Sequence, residues 1–266
     1  GNEPPLAVAE ALLALESLYE EEGDSPALLG IFERRIESAE TDDERKALSY
    51  RKARLLSDSL NDNAGAVSAY ESILDIALEE DALHALESLY ALEERWQDWV
   101  DLCRRQLDAG KGVPADLHVK MARVLSQRMQ EVPRAFDELE EALGAEKQHA
   151  GAIAELEALM TSGDDAEHRA RAAGILEPVY LLRADFSKVM ATIQARLEVS
   201  QDPDERRELL SRLAQLYEEQ KEDYVAALET TAKLLHEDLS DSSSITELER
   251  LAKVAGAERR LAEIYA

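Results

Sequence analysis

The chain is poor in residues that cross-link, punctuate or anchor a fold. A single cysteine, Cys103, stands among 266 residues, which excludes an internal disulfide framework and a cysteine-based zinc cluster. Glycine and proline number only 11 and 7, below their usual share, whereas an all-β chain needs turn residues every ~8–12 positions. Aromatic residues make up 5%. No apolar run reaches the ~18 residues that a membrane span requires. Basic residues are outnumbered 30 to 57, a net charge of −27, the wrong sign for neutralising phosphates, so no nucleic-acid partner is expected. Yet 45% of residues are hydrophobic, too many for a disordered acidic tail.

Chemistry-bearing patterns are equally scarce. The five histidines, at 84, 118, 149, 168 and 236, come no closer than 19 residues, so the i, i+4 pair of a helical zinc site is missing. Glu146-Lys147-Gln148-His149 is a lone ExxH, and a di-iron bundle needs two such motifs and two further glutamates. No metal and no cofactor is expected. Ser49-Tyr50-Arg51-Lys52 matches SxxK, but its companion motifs are absent. Phosphate-cradling glycine loops do not occur. Arg104 and Arg105 beside Cys103 could activate a thiol, yet Cys103 aligns with the apolar Phe32 and Ile193, the register of a core residue. Trp99 reads as core and Trp96 as packing under a turn. No catalytic constellation is present, and the chain is not expected to be an enzyme.

Repetition is what the sequence does contain. Leu15-Glu16-Ser17-Leu18-Tyr19 recurs 71 residues on as Leu86-Glu87-Ser88-Leu89-Tyr90, and again as Leu176-Glu177-Pro178-Val179-Tyr180. An extra echo, Leu156-Glu157-Ala158-Leu159-Met160, lies 20 residues before the last of these and marks a 20-residue insertion. Lys52-Ala53-Arg54-Leu55-Leu56, Met121-Ala122-Arg123-Val124-Leu125 and Leu213-Ala214-Gln215-Leu216-Tyr217 keep the same beat. The units run over about 6–80, 81–148, 149–241 with the insertion near 161–182, and a partial unit over 242–266, all within one array over 1–266.

Each unit reads as four helices. Val8, Leu12, Leu15 and Tyr19 step by 4, 3 and 4, and Ala11, Ala14 and Leu18 add a second stripe, so this helix packs on two sides. The periodicity predicts about 14–15 helices, from 6–22, 26–40, 42–60 and 63–80 through 149–161 and 165–183 to 244–255 and 257–265. Thr41-Asp42-Asp43-Glu44 and Ser244-Ile245-Thr246-Glu247 read as capping boxes, with 240–244 as a loop. Pro26, Pro114, Pro133 and Pro203 fall at helix starts. Pro178, inside an apolar-periodic stretch, predicts a kink or restart near Gly174. Connections of a few residues force neighbours antiparallel, and helix pairs that cannot bury their own faces must stack in an α-solenoid.

Leu210-Ser211-Arg212-Leu213-Ala214-Gln215-Leu216-Tyr217, followed by Tyr224, Ala227 and Thr231, resembles a tetratricopeptide (TPR) repeat. Leu210, Leu213, Ala214, Tyr217 and Ala227 fill that family's large, small and aromatic positions. His118, Met121, Ala122 and Leu125 match less closely, and Glu16 and Glu87 stand where the family has a small residue. Related hairpin arrays such as HEAT-like repeats are the alternative. The resemblance implies an all-α, right-handed superhelix of antiparallel helix pairs whose first helices line a concave groove for a protein or peptide. It places Ser17, Glu20, Tyr50, Arg54, Ser57, His84, Ser88, Val119, Arg123 and Gln127 on that groove. The family's Lys/Asn clamp for a C-terminal carboxylate is not recognisable.

Charge alternates along the array: 44–54 and 120–128 are basic, 79–94 acidic. Neighbouring helices could neutralise one another, or the pattern could steer a complementary partner. The leading expectation is a non-enzymatic scaffold binding a partner protein or peptide. The second is a structural spacer or self-associating segment of a larger bacterial repeat protein, because the chain opens on Gly-Asn-Glu-Pro-Pro and stops mid-unit. The lone cysteine leans toward the cytoplasm.

Overall fold

The computed structural model describes residues 5–162, 165–239 and 241–266. Among them lie fifteen α-helices and no strand. They follow as α1 (Pro5–Glu22), α2 (Ser25–Ser38), α3 (Asp42–Arg54), α4 (Asn63–Ile76), α5 (Glu80–Leu92), α6 (Trp96–Asp108), α7 (Pro114–Gln127) and α8 (Val132–Ala145). Then come α9 (Ala150–Ser162), α10 (Ala166–Leu182), α11 (Phe186–Val199), α12 (Pro203–Lys221), α13 (Tyr224–Glu237), α14 (Ser242–Ala255) and α15 (Glu258–Tyr265). The chain forms two compact units, residues 1–112 and 113–266.

One turn repeats at the head of every hairpin. A residue in the left-handed region precedes a cap residue whose N–H donates to the carbonyl of the first helix. Gly23, Asn61, Glu94, Gln130, Ala184, Glu222 and Gly256 hold the positive φ. The next residues, Asp24, Asp62, Arg95, Glu131, Asp185, Asp223 and Ala257, donate to Tyr19, Leu56, Tyr90, Leu125, Tyr180, Tyr217 and Ala252 at 2.8–3.0 Å. Four of the aspartates also cap the second helix through a side-chain oxygen, satisfying amides that a helix start leaves unpaired. Cap residues recur every 33–38 positions, except for one interval of 54 between Glu131 and Asp185.

That long interval contains α9, a helix without a second helix of its own. It lies against α7, α8 and α10, and α10 pairs in turn with α11. The span 161–182 read as an insertion thus carries the end of α9 and the first helix of the next hairpin, with residues 163–164 outside the described set.

Helix starts follow capping chemistry. Thr41 Oγ1 accepts from Glu44 N at 3.2 Å, and Pro26, Pro114, Pro133 and Pro203 sit in first turns, where a missing N–H costs nothing. Three expectations are corrected. Ser244 does not cap α14: the helix starts at Ser242, within the span read as a loop, and Ser244 is buried inside it. Asp241 caps instead, accepting from Ser243 N at 3.0 Å and from the hydroxyls of Ser243 and Ser244 at 2.6 and 2.5 Å, because a carboxylate takes charge-assisted bonds that a hydroxyl cannot. These bonds hold its pKa down at about 2. Pro178 does not restart a helix, since α10 runs through it. Its ring faces solvent, while Ala172, Ala173, Leu176, Val179 and Tyr180 hold the other face in the core. Finally, the helix expected over 42–60 is not α-helical throughout: α3 ends at Arg54 and a π-helical turn, Leu55–Ser59, follows it.

In the first unit the core runs through α3–α6, with Ala53, Ile73 and Leu86 fully buried. Phe32 of α2 meets Leu48 of α3. In the second, Ala227 and Leu228 of α13 join Leu248 and Leu251 of α14. Each large buried side chain is worth about 1.5–3 kcal/mol relative to exposure. Charges follow the stacking. Lys46 reaches Glu79 at 2.6 Å, Arg105 reaches Asp75 at 3.0 Å, and Arg250 reaches Glu218 at 2.6 Å, each joining successive hairpins. Of the bases in 44–54, Lys46, Arg51 and Lys52 pair with acids outside their own helix; such pairs, where exposed, add little stability but favour one register.

Candidate partner-binding faces

On each first helix, residues four apart line up on one face. In the first unit that row carries Tyr50 and Arg54 on α3, and His84 and Ser88 on α5. Tyr50 is half-committed to the core: its hydroxyl donates to Glu79 at 3.0 Å and its ring meets Tyr70 edge-on at 6.1 Å. Burial, reinforced by Glu79, pushes its pKa up to about 12. Lys46, and then Tyr50, hold Glu79 below the usual carboxylate range. Arg54 is exposed beside the Tyr70 hydroxyl. Ser57, in the π turn, donates to the Arg54 carbonyl at 3.2 Å and to Asp58 at 2.8 Å. His84 and Ser88 are exposed, with Ser88 Oγ donating to the His84 carbonyl at 2.9 Å. On α1, Ser17 is exposed and Glu20 pairs with Arg51.

In the second unit the row on α7 is covered in part. Val119, expected on the groove, is 4% exposed and presents no surface. The cause is α9, which lies against α7 so closely that a Cβ built on Gly151 would be in van der Waals contact, 3.5 Å, with a Val119 methyl. On either side of Val119, His149 bonds Asp116 at 3.0 Å and Arg123 bonds Glu155 at 2.5 Å. Gln127 is exposed.

Two features escaped the sequence reading. The row on α5 continues to Leu92, 68% exposed, and the same register on α10 runs Gly174, Pro178, Leu182, with Leu182 60% exposed. The aligned motifs ending in Tyr90 and Tyr180 signal it two residues further on.

The second is what glutamate does at the family's small position. Glu16 is 6% exposed and takes guanidinium groups from Arg35 of α2 and Arg51 of α3. Glu177 is 4% exposed and takes Arg196 of α11 at 2.9 Å and Arg212 of α12. The arginines stand 19 and 35 residues after the glutamate in both cases. One carboxylate thus ties its own hairpin's second helix to the next hairpin's first. In the α5 copy the residue 19 after Glu87 is Gln106, whose buried amide nitrogen lacks a hydrogen-bond partner.

Tyrosines of the repeat are held alike. Tyr90 donates to Glu71 at 2.6 Å under Arg95, and Tyr180 donates to Glu157 at 2.7 Å under Lys188. Burial and the adjacent carboxylate raise both hydroxyl pKa values. Cys103 is fully buried. Among the described residues no group of three or more His, Cys, Asp or Glu could hold a metal, and no helix is long and apolar enough to cross a membrane.

Residues 11–46, from α1 into α3, match the model of the tetratricopeptide repeat family. No curated protein matches the chain. Among solved structures it is similar to a tetratricopeptide repeat protein from Parabacteroides merdae (12% identity, 91% of this chain and 98% of that one, TM-score 0.37). It is similar also to YrrB, a TPR protein with an unusual peptide-binding site (20%, 81% and 96%, TM-score 0.30), and to the TPR2AB domain of yeast Sti1 in its pHSP90 complex (8%, 82% and 87%, TM-score 0.32). One hairpin turn thus recurs from Asp24 to Ala257, and residues 11–46, which span the first of these turns, are similar to a tetratricopeptide repeat.

Proposed function

We propose that the chain is a non-enzymatic scaffold that binds a partner protein or peptide on the exposed faces of its first-of-hairpin helices. The observation that carries this reading is the row His84, Ser88, Leu92 on α5, free of Asp, Glu, Lys and Arg and with a leucine 68% exposed, in a chain of which those four residues make up 33%. A solvent-exposed leucine gains about 1.5–3 kcal/mol when a partner covers it, and flanking hydroxyl and imidazole groups supply orientation. The row on α10, ending in Leu182, gives the second unit a face of the same kind.

The test is comparative capture. The immobilised chain and its His84→Glu/Leu92→Glu variant meet the same source lysate at low salt and then at about 0.5 M salt, which screens exposed charge pairs. One protein retained by the parent and lost by the variant is the expected result. Identical retention on both would overturn the assignment of this face. A second reading, a structural or self-associating segment, is favoured by Val8, Leu13 and Leu18 of α1, which are 42–49% exposed.

A further inference from the structure

Inside the chain, first helices receive the preceding hairpin through one stripe. On α3 and the π turn that follows it, its members include Leu48 and Leu55, in the cluster that holds Leu28, Phe32 and Ile36 of α2. On α5 they are Ala82 and Leu89, in the cluster that holds Ala66, Tyr70 and Leu74 of α4. On α1 the same two positions, seven residues apart, are Ala11 and Leu18. Both are exposed, Leu18 by 45%, and Val8 extends the stripe by one turn.

The complementary half is also present. Second helices offer the residues 4 and 8 places after their cap residue: Leu28 and Phe32 after Asp24, Ala66 and Tyr70 after Asp62, Ala227 and Thr231 after Asp223. After Ala257, which opens α15, these are Leu261 and Tyr265. Tyr265 is 48% exposed, and α15 packs on α14 of its own hairpin.

We propose that two copies of this chain associate head to tail, α15 of one covering the Val8/Ala11/Leu18 stripe of α1 in the other. The contact continues the stacking by which α2 meets α3. Charge does not oppose it: α15 carries two arginines and two glutamates and so no net charge, whereas the charged residues described on α1 are all glutamates. The inference gives the second reading a surface and an occupant. It uses a stripe distinct from His84 and Leu92, so its failure leaves partner binding on α5 untouched.

A head-to-tail contact joins two different surfaces, so each copy keeps one open end. Sedimentation of the purified chain over a concentration series should show mass rising with concentration. Leu18→Glu and Tyr265→Glu should each weaken association at least about tenfold, with unchanged circular dichroism because both side chains are exposed. Leu239→Glu, at a residue 72% exposed, adds the same charge elsewhere and should leave association intact. Mixing the two impaired variants should give a heterodimer that grows no further, one copy supplying an intact α1 and the other an intact α15. A parent that stays monomeric throughout overturns the proposal. So does a mixture that fails to pair, or association lost with Leu18→Glu but not with Tyr265→Glu, which would mean that α1 meets α1.

Discussion

Glu177 is 4% exposed and bracketed by Arg196 and Arg212, so it ties three helices at a point where a small side chain would merely let them approach. Glu177→Gln keeps the shape but leaves two guanidinium groups facing an amide. A loss of about 2–4 kcal/mol is expected in urea unfolding, at or below the range for breaking buried pairs because both arginines are about one-third exposed. A change under about 0.5 kcal/mol would mean that solvent replaces the carboxylate. Glu16→Gln should behave alike, since Arg35 and Arg51 stand at the same spacing. Asp241 gives a residue-level pH prediction. Its folded pKa, about 2, lies below the ordinary 3.8, so its contribution is present above pH 3.8 and fades as pH falls toward 2. A carbon-detected NMR titration should find this carboxyl titrating near 2; a midpoint near 3.8 would remove it as the cap of α14.

Among helices, the hairpin turn and the interior proline carry the tests. Ala184 sits at φ 53° in the turn between α10 and α11, a conformation that costs a residue with a Cβ about 1–2 kcal/mol. Ala184→Gly should therefore hold or slightly raise the melting temperature, while Gly23→Ala, at φ 69°, should lower it; equal effects would show that the turns are not equivalent. Pro178→Ala restores an N–H able to bond the Gly174 carbonyl and should stabilise α10 by at least ~1 kcal/mol. No gain would mean that the helix bends there for packing. Helix number and most helix starts were legible because apolar periodicity and capping residues act locally. The start of α14 was misread because Asp241 outcompetes Ser244 for the same amides. The π turn at Leu55–Ser59 has no sequence signature. Helix α9 was legible as 149–161, but not that it stands alone, since an echo of a first helix does not reveal whether a second one follows. The arginines that clasp Glu16 and Glu177 escaped because they meet the glutamate only in three dimensions.

Across the molecule, charge does two kinds of work. Lys46–Glu79, Arg105–Asp75 and Arg250–Glu218 join successive hairpins, while the remaining excess of acid, −27 overall, faces outward and repels acidic neighbours. Of the residues expected on the candidate face, Tyr50, Arg54, Ser57, His84, Ser88, Arg123 and Gln127 retain exposed or partly exposed surface, whereas Val119 lies under α9. Register alone cannot tell whether a neighbouring helix covers a position. The decisive measurement is hydrogen exchange of the chain with and without the protein it captures. Protection on binding should fall on the first-of-hairpin helices, above all across His84–Leu92 of α5. Protection confined to second helices such as α4, α6 or α13, with α5 unchanged, would contradict the assignment of the binding face.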